Sequence, residues 1–86
     1  MRYDGTMVRN EQMPEMGKFA VEAANAVRKR VQDAGLTQMQ VAARLSRAQS
    51  YVSVRWNGRK AWTLNELDVI AQLVGAEDAL DLIRSK

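Results

Sequence analysis

Apolar residues recur three and four positions apart along the chain, no stretch alternates with a period of two, and β-branched residues are scattered. This pattern predicts an all-α fold. Phe19, Ala23, Val27 and Val31, with Ala20, Ala24 and Ala34 beside them, make one face of a helix from about Glu15 to Ala34, closed by Gly35. Pro14 and Glu15 suit its first turn, which leaves residues 1–14 as a polar, Met-containing arm expected to be flexible.

The punctuation after Gly35 is dense. Thr37 and Gln40 form a T-x-x-Q capping box, and Leu36 with Val41 forms a hydrophobic staple, so a second helix starts at Thr37. Met39, Val41, Ala42 and Leu45 are expected on its apolar side, and it breaks near Ser46 and Arg47. A third helix over residues 48–57 places Val52 and Trp56 four apart on its inner side and stops at Gly58. Gln49, Ser50, Ser53, Val54 and Arg55 are candidates for its outer side. Thr63 with Glu66 and Trp62 with Leu67 repeat the box and staple at the start of a fourth helix. Its core face is predicted to be Leu64, Leu67, Ile70, Ala71 and Val74, with Gly75 beyond it. A short fifth helix, about Glu77 to Arg84, offers Leu80 and Ile83 to the core and turns Ala79 and Leu82 partly elsewhere.

Composition narrows the function classes. A chain of 86 residues forms one domain with one modest core, burying about two-thirds of the surface it exposes unfolded. It has no Cys and no His, which removes disulfides and the usual zinc or copper ligands, together with the side chains most used for catalysis at neutral pH. No Gly-rich phosphate loop or convergent carboxylate pair is visible, so neither an enzyme nor a cofactor or small-molecule site is expected. No apolar run approaches the roughly 20 residues that cross a bilayer. The first sixteen residues lack signal-peptide character, and a cytoplasmic location is expected.

Charge is unevenly distributed. Residues 28–60 hold eight basic side chains against Asp33 alone, a net charge of +7, whereas residues 1–27 carry −1 and residues 61–86 carry −3. A cationic block between acidic ends suits a polyanion-binding face, although chance clustering on a solvated surface gives the same numbers. Two short helices joined by a tight turn, the second polar on its outer side, form a helix-turn-helix pattern over residues 37–58.

Gly35-Leu36-Thr37-Gln38, Val41-Ala42, Leu45, Val52-Ser53, Asn57-Gly58, Thr63-Leu64, Leu67, Ile70-Ala71 and Leu73-Val74-Gly75 resemble the lambda-repressor/Cro-type (XRE) helix-turn-helix family over residues 27–75. The resemblance implies a compact five-helix DNA-binding domain over residues 15–86, acting as a transcriptional regulator of the phage-repressor or Cro kind. It also implies roles residue by residue. Gln38 would bond a phosphate and brace the third helix, and Gln49 and Ser50 would read base edges, with Ser53, Tyr51 and Val54 as further base contacts. Arg47, Arg55, Asn57, Arg59 and Lys60 would hold phosphates. The partner would be a double-stranded operator, bound by a homodimer whose contact uses Ala79 and Leu82 of the last helix.

Three positions depart from the family pattern. Ser46 stands where the turn usually has Gly, Arg47 where an apolar residue usually follows, and Arg55 where a core aliphatic is common, which predicts a differently packed third helix. Trp56 and Trp62 are assigned to core and staple rather than to base stacking. A competing reading is an antitoxin-like or adaptor protein whose Met-containing arm folds on a protein partner and whose DNA binding is auxiliary.

Overall fold

The computed structural model describes residues 16–84, which form five helices: α1 (Lys18–Asp33), α2 (Gln38–Leu45), α3 (Gln49–Trp56), α4 (Leu64–Val74) and α5 (Ala79–Ile83). Among the described residues there is no strand. The arm at residues 1–14 and the Pro14-Glu15 first turn expected for α1 lie outside them, and α1 starts later, with Gly17 at its N-cap.

Both capping boxes form. The Thr37 hydroxyl accepts from the Gln40 amide at 3.2 Å while the Gln40 side chain accepts from the Thr37 amide at 2.8 Å. Thr63 and Glu66 exchange the same pair of bonds, at 3.1 and 2.9 Å. Each box satisfies two amides that a helix start leaves without intrahelical partners. Four helix ends close in the same way, with one residue in the left-handed region followed by a bond reaching back across the last turn. Gly35, Gly58 and Gly75 supply three of these, and Ser46, at φ 58 and ψ 43, supplies the fourth. After Ser46 the Arg47 amide reaches the Ala42 carbonyl at 2.9 Å, as the Arg59 amide reaches Val54 after Gly58. Ser46 thus keeps the turn geometry expected of glycine, at the cost of crowding between its Cβ and the backbone.

The core gathers Ala23, Ala24, Val27 and Val31 of α1, Val41 and Ala42 of α2, Val52 and Trp56 of α3, Leu67, Ile70 and Ala71 of α4, and Leu82 of α5, with Trp62 and Ala76 from the connections. α1 packs against α3, α4 and α5, while α2 packs against both α3 and α4. Polar ties fix these contacts. The Arg28 guanidinium donates to the Trp56 carbonyl at 2.8 Å, joining α1 to the end of α3, and Arg30 donates to the Asp81 carbonyl at 3.3 Å. The Asp68 carboxylate of α4 accepts from the Ala79 amide at 3.0 Å and so seats the start of α5.

Several apolar residues expected inside are outside. Phe19, Met39, Leu64 and Leu80 are exposed, and each is the first or second residue of its helix. Periodicity gives the direction a face points, but not where along the axis the neighbouring helices stop covering it. On α5 Ile83 packs against the core as expected, but the two leucines exchange places: Leu82 is 0% exposed and Leu80 is 62% exposed. Asp78 caps this helix through the Asp81 amide, so its inner stripe is Ala79, Leu82 and Ile83, at the i, i+3, i+4 spacing, and Leu80 lies about 100° off it. The dimer contact expected from Ala79 and Leu82 is therefore corrected, because Leu82 is core and Ala79 packs against the core.

Candidate nucleic-acid interface

Helix α3 forms because Ala48 enters it from an extended conformation and Gly58 ends it in the left-handed region, leaving eight helical residues between. Val52 and Trp56 anchor its inner side in the core. At 100° per residue, Gln49, Ser53, Asn57, Ser50 and Val54 then occupy one outward arc of roughly 140°. Gln49, Ser50 and Asn57 are exposed, and Ser53 and Val54 are half-buried between them. No side chain caps the α3 N-terminus, so the Gln49 and Ser50 amides are not satisfied from the Ala48 position. The Asn57 amide group lies 3.5 Å from the Ser53 hydroxyl, a long contact within the arc.

Cations flank this arc. Arg47 is exposed just before α3, and Arg59 and Lys60 are exposed just after it. None of the three forms an ion pair or side-chain hydrogen bond with another described residue. Of the other basic residues in the cationic block, Arg28 and Arg30 bond backbone carbonyls, Lys29 pairs with Asp33 at 2.9 Å, and Arg44 lies 3.5 Å from the Gln72 side chain. Within residues 28–60 the exposed cations without such a partner among the described residues are thus Arg47 before α3 and Arg59 and Lys60 after it.

The other side of α3 differs from the sequence-based expectation. Tyr51, expected among the base contacts, turns its hydroxyl inward and donates it to the Glu66 carboxylate of α4. Arg55, expected on a phosphate, has its guanidinium carbon 3.6 Å from the Tyr51 ring centroid, its Nη1 donating to the Tyr51 carbonyl at 3.2 Å and its Nε 3.9 Å from Glu66. The Arg55 side chain is only 15% exposed. Both assignments are corrected: side chains 200–240° round from Gln49 point toward the start of α4, where the buried Glu66 carboxylate accepts the Tyr51 hydroxyl and lies within ion-pair distance of Arg55. Gln38 is half-buried in the first turn of α2, and among the described residues no hydrogen bond links it to α3. The brace implied by the family resemblance is not formed.

Glu66 is the buried charge that organises this side, at 9% exposure. Burial pushes its carboxyl up, but the Thr63 amide, the Tyr51 hydroxyl, the Thr63 side chain and the Arg55 charge outweigh burial and hold it below the ordinary carboxylate range. Its bond to the Glu66 carboxylate, reinforced by burial and the negative charge itself, raises the Tyr51 phenol above 10.0. The Thr63-Glu66 box was legible as a helix start, whereas the capture of Tyr51 depends on how α1 and α2, which pack against both α3 and α4, set α3 relative to the start of α4. The nearest local signal was the Tyr51-Arg55 spacing, one helical turn on the same face.

Among the described residues no group of three or more acidic side chains is placed to hold a metal ion, and no helix is long and apolar enough to cross a membrane. No protein family and no curated protein matches this sequence.

Proposed function

We propose that this chain is a sequence-specific double-stranded DNA-binding transcriptional regulator with a lambda-repressor-like helix-turn-helix fold, acting in the cytoplasm as a repressor or Cro-like protein. In this reading α2, the Ser46 turn and α3 form the helix-turn-helix, and α3 enters the major groove. The observation that carries it is the outward arc of α3, with Gln49, Ser50 and Ser53 on its surface and Arg47, Arg59 and Lys60 at its two ends. A Gln amide forms a bidentate pair with adenine N6 and N7, and Ser hydroxyls donate or accept. Cations at both ends of a reading helix meet the phosphates that border the groove, supplying salt-sensitive affinity and fixing register.

One such unit reads few base pairs, so two copies spanning half-sites about 34 Å apart are expected on the operator. Leu80, not Leu82, is the large apolar side chain that α5 offers to a second copy.

Fluorescence anisotropy of the full chain, with a labelled duplex from upstream of its own gene and a shuffled duplex at several salt concentrations, tests the proposal. A steep salt slope with roughly a thousandfold preference for the native duplex is expected. Equal affinity for both duplexes contradicts sequence-specific reading. The antitoxin-like or adaptor reading draws on a different observation, the exposed Phe19, Met39, Leu64 and Leu80. It predicts a stoichiometric co-purifying protein that blocks duplex binding.

A further inference from the structure

The Arg47 guanidinium carbon lies 4.7 Å from the centroid of the Tyr51 ring, which also carries Arg55 at 3.6 Å. The Tyr51 hydroxyl is in turn held by Glu66, itself fixed at the start of α4 by the Thr63 amide. An exposed cation at the edge of the α3 surface is thereby connected, through an aromatic ring, to a buried carboxylate. We propose that Tyr51 is a positioning residue for Arg47, its ring presenting the guanidinium as a clamp for a DNA phosphate at the N-terminal edge of α3.

This inference rests on the DNA-binding reading and adds a role for a residue outside the outward arc. A long cationic side chain loses much rotamer freedom when it binds a phosphate, and a preorganised planar guanidinium loses less. The ring supplies that organisation through its quadrupole, and the hydroxyl bond to Glu66 stops the ring from swinging with its cargo. Arg55 serves a different end of the same cluster. Its place between the ring and Glu66 offsets the carboxylate and removes it from the phosphate-binding set.

Two measurements test the proposal. In the DNA-free full chain, NMR should show the Arg47 δ protons shifted upfield by the ring current, a shift reduced in Tyr51→Phe, which loses the bond to Glu66, and lost in Tyr51→Leu. Absence of that shift in the unsubstituted chain overturns the stacking, whatever the chain binds. With the native duplex, Arg47→Ala should reduce the salt slope by about 1. Its effect on affinity should be larger in the unsubstituted chain than in Tyr51→Leu by about two- to fivefold, the size of an exposed cation–π contact. Equal effects in the two backgrounds overturn the positioning role.

Arg47→Lys keeps the charge but not the planar group, and is at an exposed site that does not threaten folding. It should bind about two- to fivefold more weakly, and unchanged affinity overturns the proposal. If the ring-current shift is present and no duplex is bound by the unsubstituted chain, the DNA-binding reading has failed, and this role with it. If the duplex is bound and only the coupling is missing, the positioning role alone has failed.

Discussion

The two sides of α3 carry similar residue types and treat them differently. On the outward arc Gln49, Ser50 and Asn57 face water, and Arg47, Arg59 and Lys60 stand at the ends without ion pairs among the described residues. On the flank toward α4, Tyr51 and Arg55 are spent on Glu66. Arg55 and Arg59 are only four residues apart, yet one is a stacked, mostly buried structural cation and the other, past the end of α3, an exposed one. The difference lies in the neighbouring element: a buried carboxylate with more than one donor makes an immobile cluster, whereas a cation with no acidic partner keeps its charge for a ligand.

The strongest way to break this contrast is to remove Glu66. Glu66→Ala deprives the Thr63 amide and the Tyr51 hydroxyl of their acceptor and leaves Arg55 poorly compensated. We expect urea unfolding to show a loss of about 3 kcal/mol. A loss below about 1 kcal/mol, the worth of a helix cap alone, would mean that the cluster holds nothing beyond the start of α4. On the outward arc the effect should fall on recognition instead. Gln49→Ala should leave the unfolding midpoint in place and reduce discrimination against a substituted operator base pair by about 1–3 kcal/mol, read by competition anisotropy. Unchanged base preference would remove Gln49 from the reading set.

How much of this was legible in the sequence follows from the range of the interactions involved. Both capping boxes and the Gly35, Gly58 and Gly75 terminations are local, and each appears where the residues call for it. The inner residues Val52 and Trp56 follow from spacing, and with them the outward arc. Phe19, Met39 and Leu64 were misplaced because a face continues beyond the end of its neighbour. Leu80 and Leu82 exchanged places because the fifth helix starts at Asp78, and in five residues a small change of start changes the inner stripe. Tyr51 and Arg55 were misassigned because their partner is fifteen and eleven positions away on another helix. The candidate site was thus half legible: its outer residues are set by helix geometry, and the inner ones by tertiary packing.

A smaller effect sharpens the contrast at the turn that aims α3. Ser46 holds a left-handed conformation that glycine adopts without Cβ crowding, and Ser46→Gly should stabilise the chain by about 0.5–1 kcal/mol in thermal unfolding, after allowing for the entropy glycine adds to the unfolded chain. A destabilised variant would show that the serine side chain supports the turn in a way its geometry does not reveal. The smallest effect is on pH. The folded-state Glu66 carboxyl lies below its ordinary value of 4.5. Its contribution is therefore complete above that value and is lost as pH falls through it toward the folded-state pKa. The stability difference between the unsubstituted chain and Glu66→Gln should shrink on acidification below 4.5, and a difference that grows would reverse the sign assigned to the cluster.

The central claim, that the cations at the two ends of α3 meet a polyanion while those beside them are structural, is tested most directly by the salt dependence of duplex binding. Arg47, Arg59 and Lys60 replaced together by Ala should lower the slope of log affinity against log salt by about 3, one unit for each lost phosphate contact, with the fold unchanged by circular dichroism. A slope equal to that of the unsubstituted chain would contradict the account and locate the polyanion-binding surface elsewhere on the molecule.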